Sequence, residues 1–386
     1  MSRKRLVNGV PTSLADLGYT DAGLDDNWQA CGAYGPNQYT FHSDAGVPQV
    51  NTTVFPSLKA MTDYGHSLGL TVGWYGNNCI CQDHCTSPAC YQGDVNAMIE
   101  YGFDSIKLDG CGQELDLGLY SSLFNATGKA ILIENCHWGL TLPNATWCPW
   151  NTYRTSFDIR AAYGNVVLNL MSTVPLAKQG LSHPGCWAYP DMLEVGCQHG
   201  PGGAGDPGLT FVESRSHFGA WCIVSSPLVL SHDTNNDTIS DAVWPIIANT
   251  EAIAVNQAWA GESGTLFLSS PSLASSSSDS AAAIDVTSTA DSWQQWSKLI
   301  DATTRATAVL VMNHAATTLS AVDVTFATVP SLAHLPIGTA FVVRDLWAHA
   351  DLGTFAGGAI SIKALASHDS AFLLVTPVPA VAAANM

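Results

Sequence analysis

The chain has 386 residues, and only 12% are charged, yet its formal net charge is −18. That acidic balance leaves no basic patch to neutralise phosphates, which argues against a nucleic-acid partner. The sequence also holds no apolar run of the roughly eighteen residues that a membrane-spanning helix needs.

In chain order, strand-like runs are predicted at 22–26, 70–75, 105–109, 130–136, 155–159, 185–193 and 227–233. Helical patterns are predicted between them, at 57–68, 95–101, 115–125 and 242–249. Repeated strand–helix units imply an α/β fold with a parallel sheet. Seven strands at these intervals point to a TIM-type (β/α)8 barrel with one strand unaccounted for. The polar residues of interest sit at the C-terminal ends of the strands, where barrel enzymes place their active sites.

After Val255-Asn256-Gln257 the pattern changes. Residues 269–291 are rich in Ser, Ala, Thr and Asp and read as a loop. Strand-like runs then follow at 306–313, 322–327, 340–344 and 370–377 without helical interruption. They predict an all-β antiparallel sandwich. The expected division is a catalytic barrel over 1–264 and a structural sandwich over 265–386.

Cysteine usage bears on the compartment. There are 11 cysteines, and Cys79, Cys81, Cys85 and Cys90 crowd one loop. Their spacing lacks a paired C-x-x-C signature, so disulfides in a secretory compartment are favoured over zinc. Sequons at Asn51, Asn125, Asn144 and Asn236 agree with that compartment, whether extracellular, lysosomal or vacuolar. The opening residues contain no apolar run of signal-peptide length. A truncated N-terminus would reconcile the two observations. An odd cysteine count leaves at least one thiol unpaired in a monomer; a homodimer is the expected alternative state.

Several strand ends carry acids or cations. Lys107-Leu108-Asp109-Gly110-Cys111 delivers a carboxylate to a loop, with Lys107 on the same pleat face. A strand-end Asp can equally cap the next helix, so this motif alone is undecided. Asp25-Asp26-Asn27-Trp28 places adjacent carboxylates, which repel and need donors nearby; sugar hydroxyls are such donors, and Trp28 offers a stacking face. Arg154 and Asp158 end another run, Asp191 follows Trp187-Ala188-Tyr189-Pro190, and Glu134-Asn135-Cys136-His137-Trp138 ends a fourth. Acid pairs flanked by aromatics suit glycoside hydrolysis, in which one carboxylate attacks and another donates a proton.

Taken together, these blocks resemble family 27 of the glycoside hydrolases, the α-galactosidase and α-N-acetylgalactosaminidase group. The resemblance runs from Leu17-Gly18-Tyr19 through Asp25-Asp26-Asn27-Trp28, Leu70-Thr71-Val72-Gly73-Trp74-Tyr75 and Lys107-Leu108-Asp109-Gly110-Cys111. It continues through Arg154-Thr155-Ser156-Phe157-Asp158, Pro190-Asp191-Met192-Leu193 and Arg344-Asp345-Leu346-Trp347. It implies Asp109 as nucleophile and Asp158 as acid/base of a retaining double displacement. It also implies that Asp25, Asp26, Lys107 and Arg154 bind ring hydroxyls, with Asp191 lining the same substrate pocket and Tyr75 in its wall. By the same resemblance, Cys79 would pair with Cys111 and Cys136 with Cys148. No metal or organic cofactor is implied.

The chain departs from the family pattern in three places. The family's Gly-Trp-Asn-type first strand does not occur. His137 and Leu140 stand where α-galactosidases carry a Glu that reads the 2-hydroxyl and N-acetyl-specific enzymes carry Ser and Ala. Asn27 and Tyr189 replace a Cys and an Asp. His137 can still bond a hydroxyl, and two bulky residues leave little room for an acetamido group. The expected activity is therefore exo-hydrolysis of terminal α-galactosides. α-N-Acetylgalactosaminidase, an inactive galactose-binding protein and a transglycosylase are the alternatives.

Overall fold

The computed structural model describes residues 1, 3–199, 206–274 and 284–379. The chain divides into two compact units: Met1–Arg154 with Pro184–Cys186, and Thr155–His183 with Trp187–Met386.

The first unit opens with a hairpin of β1 (Arg5–Val7) and β2 (Val10–Thr12). Its turn, Asn8-Gly9, takes φ of 51° and 81°. Both central residues of this tight hairpin turn need positive φ, which Asn-Gly supplies at little cost. Next come β3 (Asp21–Gly23), α1 (Leu58–Ser67), β4 (Thr71–Gly76), α2 (Pro88–Tyr101) and β5 (Ser105–Asp109). They are followed by α3 (Leu117–Thr127), β6 (Leu132–Cys136) and β7 (Thr152–Arg154).

Each helix has a chemical start signal. The Ser57, Ser87 and Asp116 side chains accept from Ala60, Ala89 and Leu119 amides at the three N-termini. Pro88 occupies the first turn of α2, where its missing N–H costs nothing. Gly102 and Gly128 end α2 and α3 in the left-handed conformation.

Strands β3 to β7 pair in parallel, in sequence order. β4 and β5 are almost wholly buried, as expected of parallel strands covered on both faces. The register sets Lys107 opposite Glu134 and Asp109 opposite Cys136. All the C-terminal strand ends therefore emerge at one edge of this sheet.

The second unit contains α4 (Tyr163–Met171), α5 (Val174–Lys178), β8 (Trp187–Tyr189), α6 (Phe211–Ile223), α7 (Asp237–Ile247) and α8 (Thr250–Gln257). It ends in β9 (Thr265–Ser269), β10 (Trp293–Leu299), β11 (Thr307–Asn313), β12 (Leu319–Thr325) and β13 (Phe341–Asp345). The last strands are β14 (Ala350–Phe355), β15 (Ala359–Leu365) and β16 (Ser370–Pro377).

Six of these strands form an antiparallel sheet in the order β14-β13-β16-β11-β10-β9, and β12 pairs with β15. Val309, Val311, Val322, Val324, Phe341, Val343, Leu373 and Val375 build the core of the sandwich. Every residue of β11 is buried, because α6 covers its other face. Gly219 of α6 makes that approach possible, since a Cβ there would lie 3.1 Å from Leu310 of β11 and 2.9 Å from the Trp347 ring.

Several expectations need correction. The strand predicted at 155–159 lies earlier, at Thr152–Arg154. The run 227–233 is not a strand; it contributes one bridge, Leu230 to Leu193. The sandwich has β9, β10, β14 and β15 in addition to the four predicted strands. Residues 275–283 of the predicted loop lie outside the described residues.

Candidate active site

Asp109 ends β5 and is 6% exposed. Its Oδ1 accepts the Cys111 amide at 3.1 Å, and the Cys136 thiol approaches Oδ2 at 3.6 Å. The Tyr75 hydroxyl also bonds this carboxylate. Burial raises the Asp109 pKa, and Lys107, Tyr75, the Cys111 amide and Cys136 offset only part of that.

Lys107, two residues earlier on the same face, bonds Asp25 Oδ2 through Nζ at 2.7 Å. Its Nζ also sits 5.5 Å above the centre of the Tyr75 ring. Burial disfavours its charge, but the Cys136 sulfur, Glu134 and Asp25 outweigh burial and hold the ammonium protonated. Asp25 loses some ionisation to burial, and Lys107 more than restores it, so its pKa lies below the usual carboxylate value. Arg154 is 2% exposed and donates to Cys136 Sγ at 3.4 Å. Lys107, Asp25, Tyr75, Asp109, Cys136 and Arg154 are thus linked in one polar cluster.

Asp26 behaves differently from its neighbour. Its Oδ1 accepts from the Asn27 amide at 2.8 Å and Asn78 Nδ2 at 2.6 Å. Its Oδ2 accepts from the Cys79 and Ile80 amides at 3.1 and 2.9 Å. Four protein donors fill the roughly four acceptor sites of a carboxylate. The donors that the sequence reading sought in sugar hydroxyls therefore come from the chain, and Asp26 orders the loop after β4.

The stacking face expected of Trp28 is also not free. Its indole is 1% exposed, lies 4.5 Å from Trp74 between ring centres, meets Phe41 edge-on, and donates to the Tyr75 carbonyl. Its apolar area is spent on packing behind the β4 strand end.

His137 follows β6 and is 5% exposed. Its Nδ1 bonds Thr141 Oγ1 at 2.9 Å, while Nε2 has no hydrogen-bond partner among the described residues. Burial pulls its pKa down to about 4, so the imidazole is neutral near pH 7. Leu140 is 76% exposed and does not supply the crowding expected of it. Gly110 brings this strand end close to Asp109: a Cβ at Gly110 would lie 3.3 Å from the Trp138 ring and 3.4 Å from His137 Cα.

In the second unit, Asp158 is exposed in the loop before α4. Asp191 is buried with φ of 84°. Its Oδ2 accepts the Ile159 amide and its Oδ1 the Met192 amide, both at 2.8 Å. This carboxylate fixes the backbone next to Asp158.

Four disulfides form: Cys31–Cys81, Cys79–Cys111, Cys85–Cys90 and Cys148–Cys186. The Cys79–Cys111 pairing agrees with the resemblance. The Cys136–Cys148 pairing does not form, because Cys136 points at Asp109 and Arg154 while Cys148 reaches Cys186. Cys136, Cys197 and Cys222 are free thiols. Cys79, Cys111 and Asp109 bring ligand-type atoms within 4.8 Å of one another, but two of those atoms are the sulfurs of a disulfide. No helix among the described residues is long and apolar enough to cross a membrane.

The sequence reading missed Asn77 and Asn78. Asn77 is 1% exposed and bridges the Asp109 carbonyl and the Glu114 amide. The signal was available: two amide side chains directly after an apolar run, where a strand ends.

Comparison with known proteins agrees with this arrangement. The family model described as Alpha galactosidase A matches residues 9–258, and the alpha galactosidase C-terminal beta sandwich domain matches residues 290–375. The chain is 31% identical over 261 residues to Alpha-galactosidase 3 of Arabidopsis thaliana, covering 64% of this chain and 54% of that protein. It is 28% identical over 378 residues to a Dictyostelium discoideum protein named Probable alpha-galactosidase, covering 95% and 86%. The chain thus spans about half the length of the Arabidopsis relative. Its fold is similar to that of a Saccharomyces cerevisiae alpha-galactosidase solved with raffinose, with a TM-score of 0.76, 18% identity and coverage of 95% and 91%. The architecture is accordingly a TIM-type barrel followed by a β-sandwich. With its barrel and its sandwich both matched, the chain belongs to the alpha galactosidase A family, within glycoside hydrolase family 27.

Proposed function

We propose that the chain is a retaining exo-α-galactosidase. The observation that carries this reading is the buried Asp109 carboxylate at the end of β5, beside Lys107 and Tyr75, in a chain of this family. Asp109 attacks the anomeric carbon and the glycosidic bond breaks, forming a β-galactosyl ester. Asp158 protonates the departing oxygen, then deprotonates the water that opens the ester. Two inversions return the sugar in its original configuration. The chemistry requires both carboxyl groups at the scissile bond, about 5–5.5 Å apart in retaining enzymes. Asp25 and Lys107 bind ring hydroxyls, and Arg154 keeps the nucleophile's surroundings cationic.

The free Nε2 of His137 favours a substrate hydroxyl at the 2-position, since a buried polar atom left unpaired is costly. It supports galactose over N-acetylgalactosamine. The four disulfides and the sequons support a secretory compartment. β9 begins at Thr265 and pairs with β10, which supports a boundary between barrel and sandwich at 264/265.

The test is turnover of an aryl α-galactoside by Asp109→Asn and Asp158→Asn, with product configuration followed by NMR. Loss of turnover in both variants, and α-galactose as the first product of the parent, are expected. Parent-like rates in Asp109→Asn would sink the nucleophile assignment.

A further inference from the structure

We infer that Asn77 is a positioning residue for the nucleophile: its buried amide holds the main chain of Asp109 in the conformation that aims the carboxylate. This rests on reading Asp109 as the nucleophile.

The argument starts at the end of the sheet. β4 and β5 pair from Gly73 opposite Ser105 to Gly76 opposite Leu108. The ladder on this side therefore stops one residue short of Asp109. The next residue on the β4 side is Asn77, with φ of 58°. Asn tolerates this left-handed conformation better than most side chains. The turn directs its amide back toward β5, where Nδ2 donates to the Asp109 carbonyl. A side chain thus supplies the bond that a continued ladder would have made.

The other half of the same amide closes the loop. Asn77 Oδ1 accepts the Glu114 amide at 2.9 Å. One buried group ties both ends of the segment 109–114. On the opposite side, the Gly110 amide donates to the Cys136 carbonyl at 3.1 Å. The nucleophile's backbone is clamped between its two neighbouring strand ends. Gly112 completes the fit, because a Cβ there would collide with Asn77 Oδ1. The next residue, Asn78, instead donates from Nδ2 to the Asp26 carboxylate Oδ1 at 2.6 Å.

Both Asn77 bonds go to main-chain atoms, so the residue acts on the carboxylate through the backbone. A misaimed nucleophile slows formation and breakdown of the glycosyl ester while leaving the ground-state sugar contacts intact. The loss then falls on kcat and not on KM. A merely structural amide would move stability without that split.

Two variants test this, assayed on an aryl α-galactoside beside Asp109→Asn. Asn77→Asp keeps the volume and the acceptor for Glu114 but replaces the donor facing the Asp109 carbonyl with oxygen. Gly112→Ala displaces the amide from the other side and leaves Asn77 in place. The expected result in each is a kcat lower by about tenfold to a hundredfold, the scale of a small misplacement. KM stays within about twofold and thermal unfolding remains cooperative. Parent-like kcat in the folded variants, or a KM effect with kcat intact, overturns the inference. If Asn77→Asp does not fold, the same readings on Gly112→Ala decide. Full activity in Asp109→Asn overturns the nucleophile assignment itself, and this inference with it.

Discussion

Asp191 Oδ2 accepts the Ile159 amide at 2.8 Å, so one buried carboxylate fixes the residue that follows Asp158. Its second oxygen and its carbonyl are also engaged, by the Met192 amide and the Trp221 indole. The residue pays for a left-handed backbone at φ 84° in order to do this. Asp191→Ala is expected to cost about 1–3 kcal/mol of stability, because the buried Ile159 amide and the half-buried Met192 amide lose their acceptor. It should also lower kcat. Asp191→Asn, which keeps an acceptor oxygen, should recover part of both. Denaturant unfolding and steady-state kinetics on the pair of variants check this.

His137 offers a specificity test by substrate editing. In the parent, replacing an aryl α-galactoside by its 2-deoxy analogue should lower kcat/KM by about tenfold or more, since the buried Nε2 loses its partner. In His137→Ala the same change should have little effect. Equal 2-deoxy penalties in parent and variant would show that His137 does not read this hydroxyl. Because its pKa lies near 4, no activity transition between pH 5 and 8 should trace to this residue.

His42 predicts how stability varies with pH. It is fully buried, with Nδ1 2.6 Å from Asp83 and Nε2 3.0 Å from Asp94. Burial disfavours its charge, but Asp94 and Asp83 outweigh burial and raise its pKa to about 10. A raised folded-state pKa means that the folded chain holds the proton more tightly. The stabilisation is therefore complete below the unfolded value near 6.5 and is lost as pH climbs through about 10. Nearby Glu114, pushed up chiefly by burial, acts in the same direction above its ordinary value. Stability should fall between pH 6.5 and 10 with a slope approaching about 1.4 kcal/mol per pH unit for one proton. His42→Asn should be less stable at pH 6 and should flatten that slope. Chemical denaturation across this range is the measurement.

The sulfur chemistry is directly countable. With four disulfides and three free cysteines, unreduced protein unfolded in denaturant should titrate three thiols. Peptide mapping should find Cys148 joined to Cys186 and Cys136 unmodified. A linked Cys136–Cys148 peptide would contradict the arrangement around Asp109. Cys136→Ser should leave the disulfide map unchanged.

Much of the barrel was legible because strand and helix signals alternate cleanly before residue 136. Asp109 was legible as a strand-end carboxylate because it stands where the apolar run of β5 stops. The slip at β7 has a physical cause. Thr152-Tyr153-Arg154 is only three residues long and ends in a buried cation, so hydrophobic alternation points past it to the run that follows. β14 is exposed along nearly all its length and contains Gly353, which leaves no alternation to find. The N-terminal hairpin was findable from Asn8-Gly9, whose turn chemistry outweighs its short strands. Trp28 and Asp26 have protein partners that the sequence does not announce. Their residue types suit a sugar, but only three-dimensional packing shows that Trp74 and the loop after β4 already occupy them.

Cys79 and Cys81 lie one residue apart, yet they serve different partners, Cys111 and Cys31. The amides of Cys79 and Ile80, between and beside them, cradle Asp26. An exchange of the two sulfurs would pair Cys31 with Cys79 and Cys81 with Cys111. It would still yield a molecule with four disulfides and unchanged mass, but with the Asp26 cradle dragged out of register. Oxidative maturation is thus a proofreading problem: recombinant material can carry every bond, and still fail, because two neighbouring thiols chose each other's partner.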